Sequence, residues 1–65
     1  MGVQDNGIIF EVVPLGNSVK ATAIDTATGI EGAIVAPRNT PLPILKSNAL
    51  KKLKYVMEKK KQDEG

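Results

Sequence analysis

The sequence contains no cysteine and no histidine among its 65 residues. Without cysteine the fold has neither a disulfide nor a thiolate metal site, and without histidine it lacks the common zinc ligand and the usual base of nucleophilic catalysis. Tryptophan is also absent, and Phe10 and Tyr55 are the only aromatic residues. We therefore expect a core of Ile, Val, Leu and Ala, and we expect no cofactor, no metal centre and no small-molecule substrate.

Long hydrophobic runs are missing as well. No apolar run approaches the roughly 18 residues that a membrane-spanning helix requires. The first seven residues are mostly polar and do not resemble a signal peptide. We therefore expect a cytoplasmic protein without a membrane partner, in which residues 1–65 form one small domain. A domain of this size has a modest core, and its stability should be on the order of 3–5 kcal/mol.

Charge is distributed unevenly along the chain. The first 37 residues carry four acidic side chains and one basic side chain, whereas residues 38–61 carry eight basic side chains and one acidic side chain. The pattern indicates a mildly acidic N-terminal half and a strongly basic C-terminal half.

Three short runs rich in β-branched residues predict β-strands. The first is ended by Pro14, because proline cannot donate to a sheet ladder. The third contains Gly32, which marks a bulge or a close approach of another backbone. Residues 15–18 and 25–29 are rich in turn-forming types and separate the runs. The predicted strands are residues 8–13, 19–24 and 30–36.

A helix is predicted after a stiff connector that contains three prolines. It begins at Pro41 or only at Pro43 and continues to about Lys60. At 100° per residue its apolar side chains fall within one stripe. Residues 1–6 and 61–65 are expected to fray, which leaves an ordered core of about residues 7–60. The stripe consists of Leu42, Leu45, Ala49, Leu50, Leu53, Val56 and Met57.

The order of elements predicts an α+β fold, a three-stranded antiparallel β-meander with one C-terminal helix packed on one face (βββα). The other face of the sheet is then open, and strict alternation places Ile9, Val13 and Ile24 on it. A partly apolar open face indicates a homodimer or a protein partner, although small sheets also carry scattered apolar residues without a binding role. The first strand is an edge of the meander, and an exposed edge can add a strand from a partner.

The helix offers a second candidate surface. Lys51, Tyr55 and Lys59 recur every four residues and form one column opposite the apolar stripe, and Lys52 and Lys54 extend it. Lysines beside an exposed ring suit contact with phosphates and stacking of a base, as in nucleic-acid binding. The same residues also fit a solubilising helix face whose lysine stems cover the ring.

Catalysis is not expected. Asp25 and Glu31 flank a predicted hairpin as a carboxylate pair, but a turn-forming aspartate and an exposed strand glutamate explain them more simply. The chain has no phosphate-binding loop, dinucleotide fingerprint or calcium loop. The predicted function is a small non-catalytic interaction module that binds a protein partner or itself through the sheet. The alternative is nucleic-acid binding through the basic helix.

Several short segments between residues 8 and 58 resemble a family of short uncharacterised proteins from alphaproteobacteria. The resemblance implies one small domain in a bacterial cytoplasm, and it implies no activity, ligand or site. The segments are Ile9-Phe10-Glu11, Gly16-Asn17-Ser18-Val19-Lys20, Ala23-Ile24-Asp25, Thr28-Gly29 and Leu50-Lys51-Lys52-Leu53-Lys54-Tyr55-Val56.

Overall fold

The computed structural model describes the backbone of residues 2–5 and 7–64 and the side chains of residues 7–61. It contains four strands followed by one helix. The elements are β1 (Gly2–Asp5), β2 (Ile8–Leu15), β3 (Ser18–Asp25), β4 (Glu31–Pro37) and α1 (Leu42–Glu64).

The strands form one antiparallel sheet in the order β1-β2-β3-β4. The three predicted strands and the C-terminal helix are therefore confirmed as a βββα fold. A short additional strand precedes them, because Gly2–Asp5 pairs with Ile8–Glu11 of β2. The expected frayed segment 1–6 thus contains a strand, and its polar, four-residue sequence offers no alternation from which to predict one.

β2 continues through Pro14, where the sequence predicted its end. Leu15 faces Ser18 across the two-residue turn, and Pro14 faces Val19. Hydrogen-bonded and non-hydrogen-bonded pairs alternate along an antiparallel ladder, so the nitrogen of Pro14 points away from β3. Because β1 reaches only as far as Glu11, proline at this position costs the sheet no hydrogen bond.

The loop between β3 and β4 is organised by Asp25. Its carboxylate accepts hydrogen bonds from the Thr28 hydroxyl (2.8 Å) and the Ala27 backbone N–H (3.4 Å). Its carbonyl oxygen accepts from the N–H of Gly29 at 2.7 Å. Gly29 has φ of 77°, in the left-handed region where glycine is favoured. The predicted turn-forming role of Asp25 is confirmed.

The helix begins at Leu42, between the two starts that the sequence allowed. The carbonyl oxygen of Pro41 accepts from the N–H groups of Ile44 and Leu45, each at 3.1 Å, and so closes the first turn. At the other end, the described helix continues to Glu64, whereas the sequence predicted fraying from residue 61. None of the described helices is both long and apolar enough to cross a membrane.

The core lies between α1 and the inner face of the sheet, where the helix packs mainly against β4 and β3. Small residues bring the helix close to the sheet. A Cβ atom added at Gly32 would lie 2.5 Å from the Cα atom of Leu53 and 2.8 Å from the carbonyl carbon of Lys52. Gly32 is therefore a close-approach point, one of the two roles predicted for it. The buried apolar side chains are Phe10, Val19, Ala21, Ala23, Leu45, Ala49 and Leu53.

Candidate interaction surfaces

The face of the sheet opposite the helix, called here the open face, carries the predicted interface residues. The register aligns Ile9 with Ile24, and Val13 with Lys20. Their inward-pointing neighbours Phe10, Ala21 and Ala23 are buried under the helix, so alternation places the predicted residues on the other side. Val13 is 49% exposed, whereas Ile9 and Ile24 are half-buried. The structure thus places all three residues on one face.

Two more apolar side chains on the open face were not predicted. Val35 of β4 pairs with Lys20 and is 66% exposed, and Leu15 of β2 pairs with Ser18 and is 50% exposed. Lys20 therefore lies between Val13 and Val35 across three strands. Leu15 was not predicted on this face because its sequence context is typical of a turn. Val35 alternates with Ile34 and Ala36, and its outward direction followed from the same period that identified Val13.

The open face carries charges of both signs around a centre of small side chains. Glu11 pairs with Thr22, and Thr22 pairs with Ala33, so these three residues form one cross-strand row. Thr22 is buried, and Lys20 and Glu31 lie in the rows on either side. Small residues at the centre of a face allow another surface to approach closely, while the flanking charges restrict which surface fits.

The edges of the sheet differ from the prediction. The sequence made the first predicted strand an edge, but β1 covers the Ile8–Glu11 half of β2. Among the described residues, no strand lies beside residues 12–15 of β2 on that side, and β4 is the edge at the other end of the sheet. Strand addition at Ile8–Glu11 is therefore blocked.

The residues of the predicted basic surface all lie on the exposed side of the helix. Lys51, Lys52, Lys54 and Lys59 are all exposed. Tyr55 is 57% exposed, so its ring remains accessible to a ligand. The Nζ atom of Lys52 lies 5.7 Å from the centre of that ring, and it covers part of the ring while leaving more than half of the side chain accessible.

Lys46 differs from the other lysines of the helix. It is half-buried, and its Nζ atom lies 5.2 Å from the centre of the Phe10 ring. Phe10 itself is buried. Because the helix is centred over β3 and β4, the aliphatic stem of Lys46 extends its cover toward β2. Lys46 therefore belongs to the core boundary and not to the basic surface.

The described side chains bring together no group of three acidic, cysteine or histidine residues that could hold a metal ion. One groove of about 320 Å³, open to solvent, lies between the β3–β4 loop and the C-terminal part of α1. Its walls include the side chains of Thr28, Lys60 and Lys61. The Thr28 hydroxyl donates to the carboxylate of Asp25, which is therefore already engaged in the turn. The groove therefore presents flexible surface side chains.

Most of the chain matches a known protein family. Residues 5–60 match a family described as a domain of unknown function, DUF6898. The chain belongs to this family. No curated protein and no solved structure matches the chain. The DUF6898 match extends from the end of β1 into the last turns of α1, so the open face and the basic helix surface both lie within the family domain. This match confirms the predicted resemblance to a family of proteins without an assigned activity.

Proposed function

We propose that this DUF6898 domain is a non-catalytic protein-interaction module, and that the open face of its sheet is the contact surface. One observation carries the proposal, the placement of Val13, Leu15 and Val35 on the face that α1 does not cover. Val13 and Leu15 are neighbours along β2, and Val35 lies on the other side of Lys20 from Val13. Each of the three apolar side chains is about half exposed or more. Exposed apolar side chains that are grouped on one face and flanked by polar residues are typical of protein-interaction sites.

The size of the surface sets the expected strength of binding. Burying the exposed half of an aliphatic side chain contributes about 1 kcal/mol. Three such side chains contribute about 3 kcal/mol, before the cost of bringing two molecules together. Association through this face is therefore expected to be weak and reversible, as in small transient interfaces.

The non-catalytic part of the proposal rests on the chemistry of the side chains. Asp25 is engaged in turn hydrogen bonds, and the chain has no histidine or cysteine to act as base or nucleophile. For the setting, we propose a bacterial and cytoplasmic protein, of the alphaproteobacterial group that the sequence segments resemble. The absence of cysteine agrees with a reducing compartment.

Site-specific photo-crosslinking tests the contact surface without assuming the partner. A benzophenone side chain placed at Val35 should give a covalent protein adduct in the expressing cell, because this residue lies on the proposed surface. The matched control is Ile44, an apolar residue on the helix that is 48% exposed. We expect adducts from position 35 and none from position 44, read by denaturing gel and mass spectrometry. Equal labelling at both positions, or none at position 35, would contradict the proposal.

A second candidate function is nucleic-acid binding through the basic surface of α1. The exposed ring of Tyr55 favours it, because a purely solubilising lysine face gains nothing from an exposed aromatic side chain. A stacked base contributes about 1–3 kcal/mol, and lysines that contact phosphates release counterions.

Charge reversal on the helix tests this second function. For a short single-stranded RNA, Lys51→Glu with Lys59→Glu should weaken binding at least about tenfold at low salt and should reduce the salt slope by about 2. Fluorescence anisotropy measures both quantities. The control compares single variants of equal charge, Lys51→Glu on the helix and Lys20→Glu on the open face. Equal weakening by both, or binding that does not respond to salt, would eliminate the basic surface as the site.

A further inference from the structure

The charges on the open face are arranged so that the face can pair with a copy of itself. Glu11 and Lys20 lie on neighbouring strands, one row apart, because Glu11 pairs with Thr22 and Val13 pairs with Lys20. Diagonal positions of this kind are about 8 Å apart. Both side chains are exposed. The face therefore presents one negative and one positive group at a fixed spacing beside its apolar residues.

A two-fold axis between two copies of the face brings these charges together as two intermolecular pairs, each formed by Glu11 of one copy and Lys20 of the other. If the axis lies in the plane between two facing sheets, passes midway between Glu11 and Lys20 and runs perpendicular to the line that joins them, each Glu11 comes opposite Lys20 of the second copy. Such an isologous contact satisfies both charges on both copies with a single geometry.

The same axis also aligns the apolar side chains. On a sheet with strands about 4.8 Å apart, it places Val13 opposite Val13 of the second copy, and Val35 opposite Ile9 of the second copy. The strands of the two sheets then cross at about 70°, which is close to the orthogonal class of sheet packing. Thr22 and Ala33, the small residues of the central row, lie where the two sheets approach each other. Glu31 falls beyond the edge of the second copy.

We infer that the partner of the open face is a second copy of this chain, held in a two-fold dimer by two Glu11–Lys20 pairs around Val13 and Val35. The inference rests on the proposed function, since it names the occupant of the same face. Complementary charges across a contact contribute mainly specificity. In this dimer they select a second copy over other apolar surfaces and make association weaker as salt concentration rises.

Complementary charge reversal tests the inference. Sedimentation equilibrium of the wild-type chain should show a concentration-dependent dimer. Glu11→Lys alone and Lys20→Glu alone should each weaken it about tenfold, because each places like charges in both pairs. An equimolar mixture of the two variants should restore a heterodimer to within about threefold of the wild type, because both pairs are then of opposite sign. Amide NMR spectra establish that each variant is folded.

Matched controls separate this geometry from other contacts. Glu31→Lys makes the same charge change on the same face outside the pairs and should change the dimer constant less than about threefold. Val35→Lys should abolish the dimer, and Ile44→Lys should leave it unchanged. A dimer that survives Val35→Lys uses another surface, such as the free edge of β4, and overturns the inference.

Failure of the inference and failure of the proposed function give different results. A dimer that Val35→Lys abolishes, but that the mixture of charge variants does not restore, overturns the two-fold geometry and leaves the open face as the contact surface. A wild-type chain that stays monomeric at millimolar concentration overturns self-association. In that case, crosslinks from position 35 to a different protein would still support the proposed function, and their absence would overturn both.

Discussion

Replacing Gly32 by alanine should destabilise the protein by about 3 kcal/mol, against a total stability on the order of 3–5 kcal/mol. The added Cβ atom would lie 2.5 Å from the Cα atom of Leu53. Real carbon–carbon contacts are about 3.5 Å or longer, and the obstructing atoms are helix backbone, which cannot rotate away as a side chain can. The helix must therefore move off the sheet along the row where it contacts β4.

The expected loss of stability is opposite in sign to the usual effect of replacing glycine by alanine in a strand. In the interior of a strand, alanine is normally more stable than glycine by about 0.5–1 kcal/mol. Urea unfolding followed by circular dichroism should instead show a clear loss. The control is Ala33→Thr on the adjacent, outward-facing position, which adds atoms to the same strand and suits a strand conformation. It should stay within about 0.5 kcal/mol of the wild type. A stability gain in Gly32→Ala would show that the helix does not approach β4 so closely.

Leu53→Ala is the second substitution with a large expected effect. Leu53 is fully buried and contacts the cluster that includes Phe10, Ala23 and Ala49. Truncating a buried leucine removes apolar contact and leaves a cavity, at a cost of about 2–5 kcal/mol. In a domain of this size such a loss should leave a substantial unfolded population at 25 °C. The thermal midpoint, measured by circular dichroism, should fall by ten degrees or more, on the order of 4–8 °C per kcal/mol.

The same helix provides a control of identical chemistry. Leu42 is 48% exposed at the start of α1, so Leu42→Ala deletes the same atoms from a half-wet position. Its cost should be below about 1.5 kcal/mol. If Leu53→Ala costs no more than Leu42→Ala, the helix does not bury the face that the structure assigns to it.

Much of the fold follows from periodicity that is visible in the sequence. The alternation of Val19, Ala21 and Ala23 identified the inner face of β3, and the helical spacing of Leu45, Ala49 and Leu53 identified the face that packs on it. Both patterns are dictated by burial, which acts on every residue of an element. Both patterns can therefore be recognised in the sequence without knowledge of tertiary contacts.

Other features depend on contacts that a linear pattern does not contain. β1 is too short and polar to show alternation, and it is formed by pairing with β2. Pro14 was expected to end β2, but its position on the uncovered part of an edge removes the usual penalty. The choice between a bulge and a close approach at Gly32 required knowing that Leu53 crosses above it.

The candidate surfaces were predictable to different degrees. The basic column of Lys51, Tyr55 and Lys59 needs only a helical wheel, and the structure places these residues as expected. The open face was predicted from alternation in Ile9, Val13 and Ile24. The pairing of Lys20 with both Val13 and Val35 required the register of three strands, which single-strand periodicity leaves undetermined.

The order of the elements also determines when the sheet can fold during synthesis. The residues that cover the inner face of the sheet, Leu45, Ala49 and Leu53, are translated after the last strand ends at Pro37. At about 5–20 residues per second, the ribosome needs about one to three seconds to add them. Without the helix, the inner-face side chains Phe10, Val19, Ala21 and Ala23 are exposed to water and the sheet loses the other half of its core. The nascent chain should therefore acquire its ordered sheet only when the helix emerges, so strand pairing and helix docking should appear as one cooperative event.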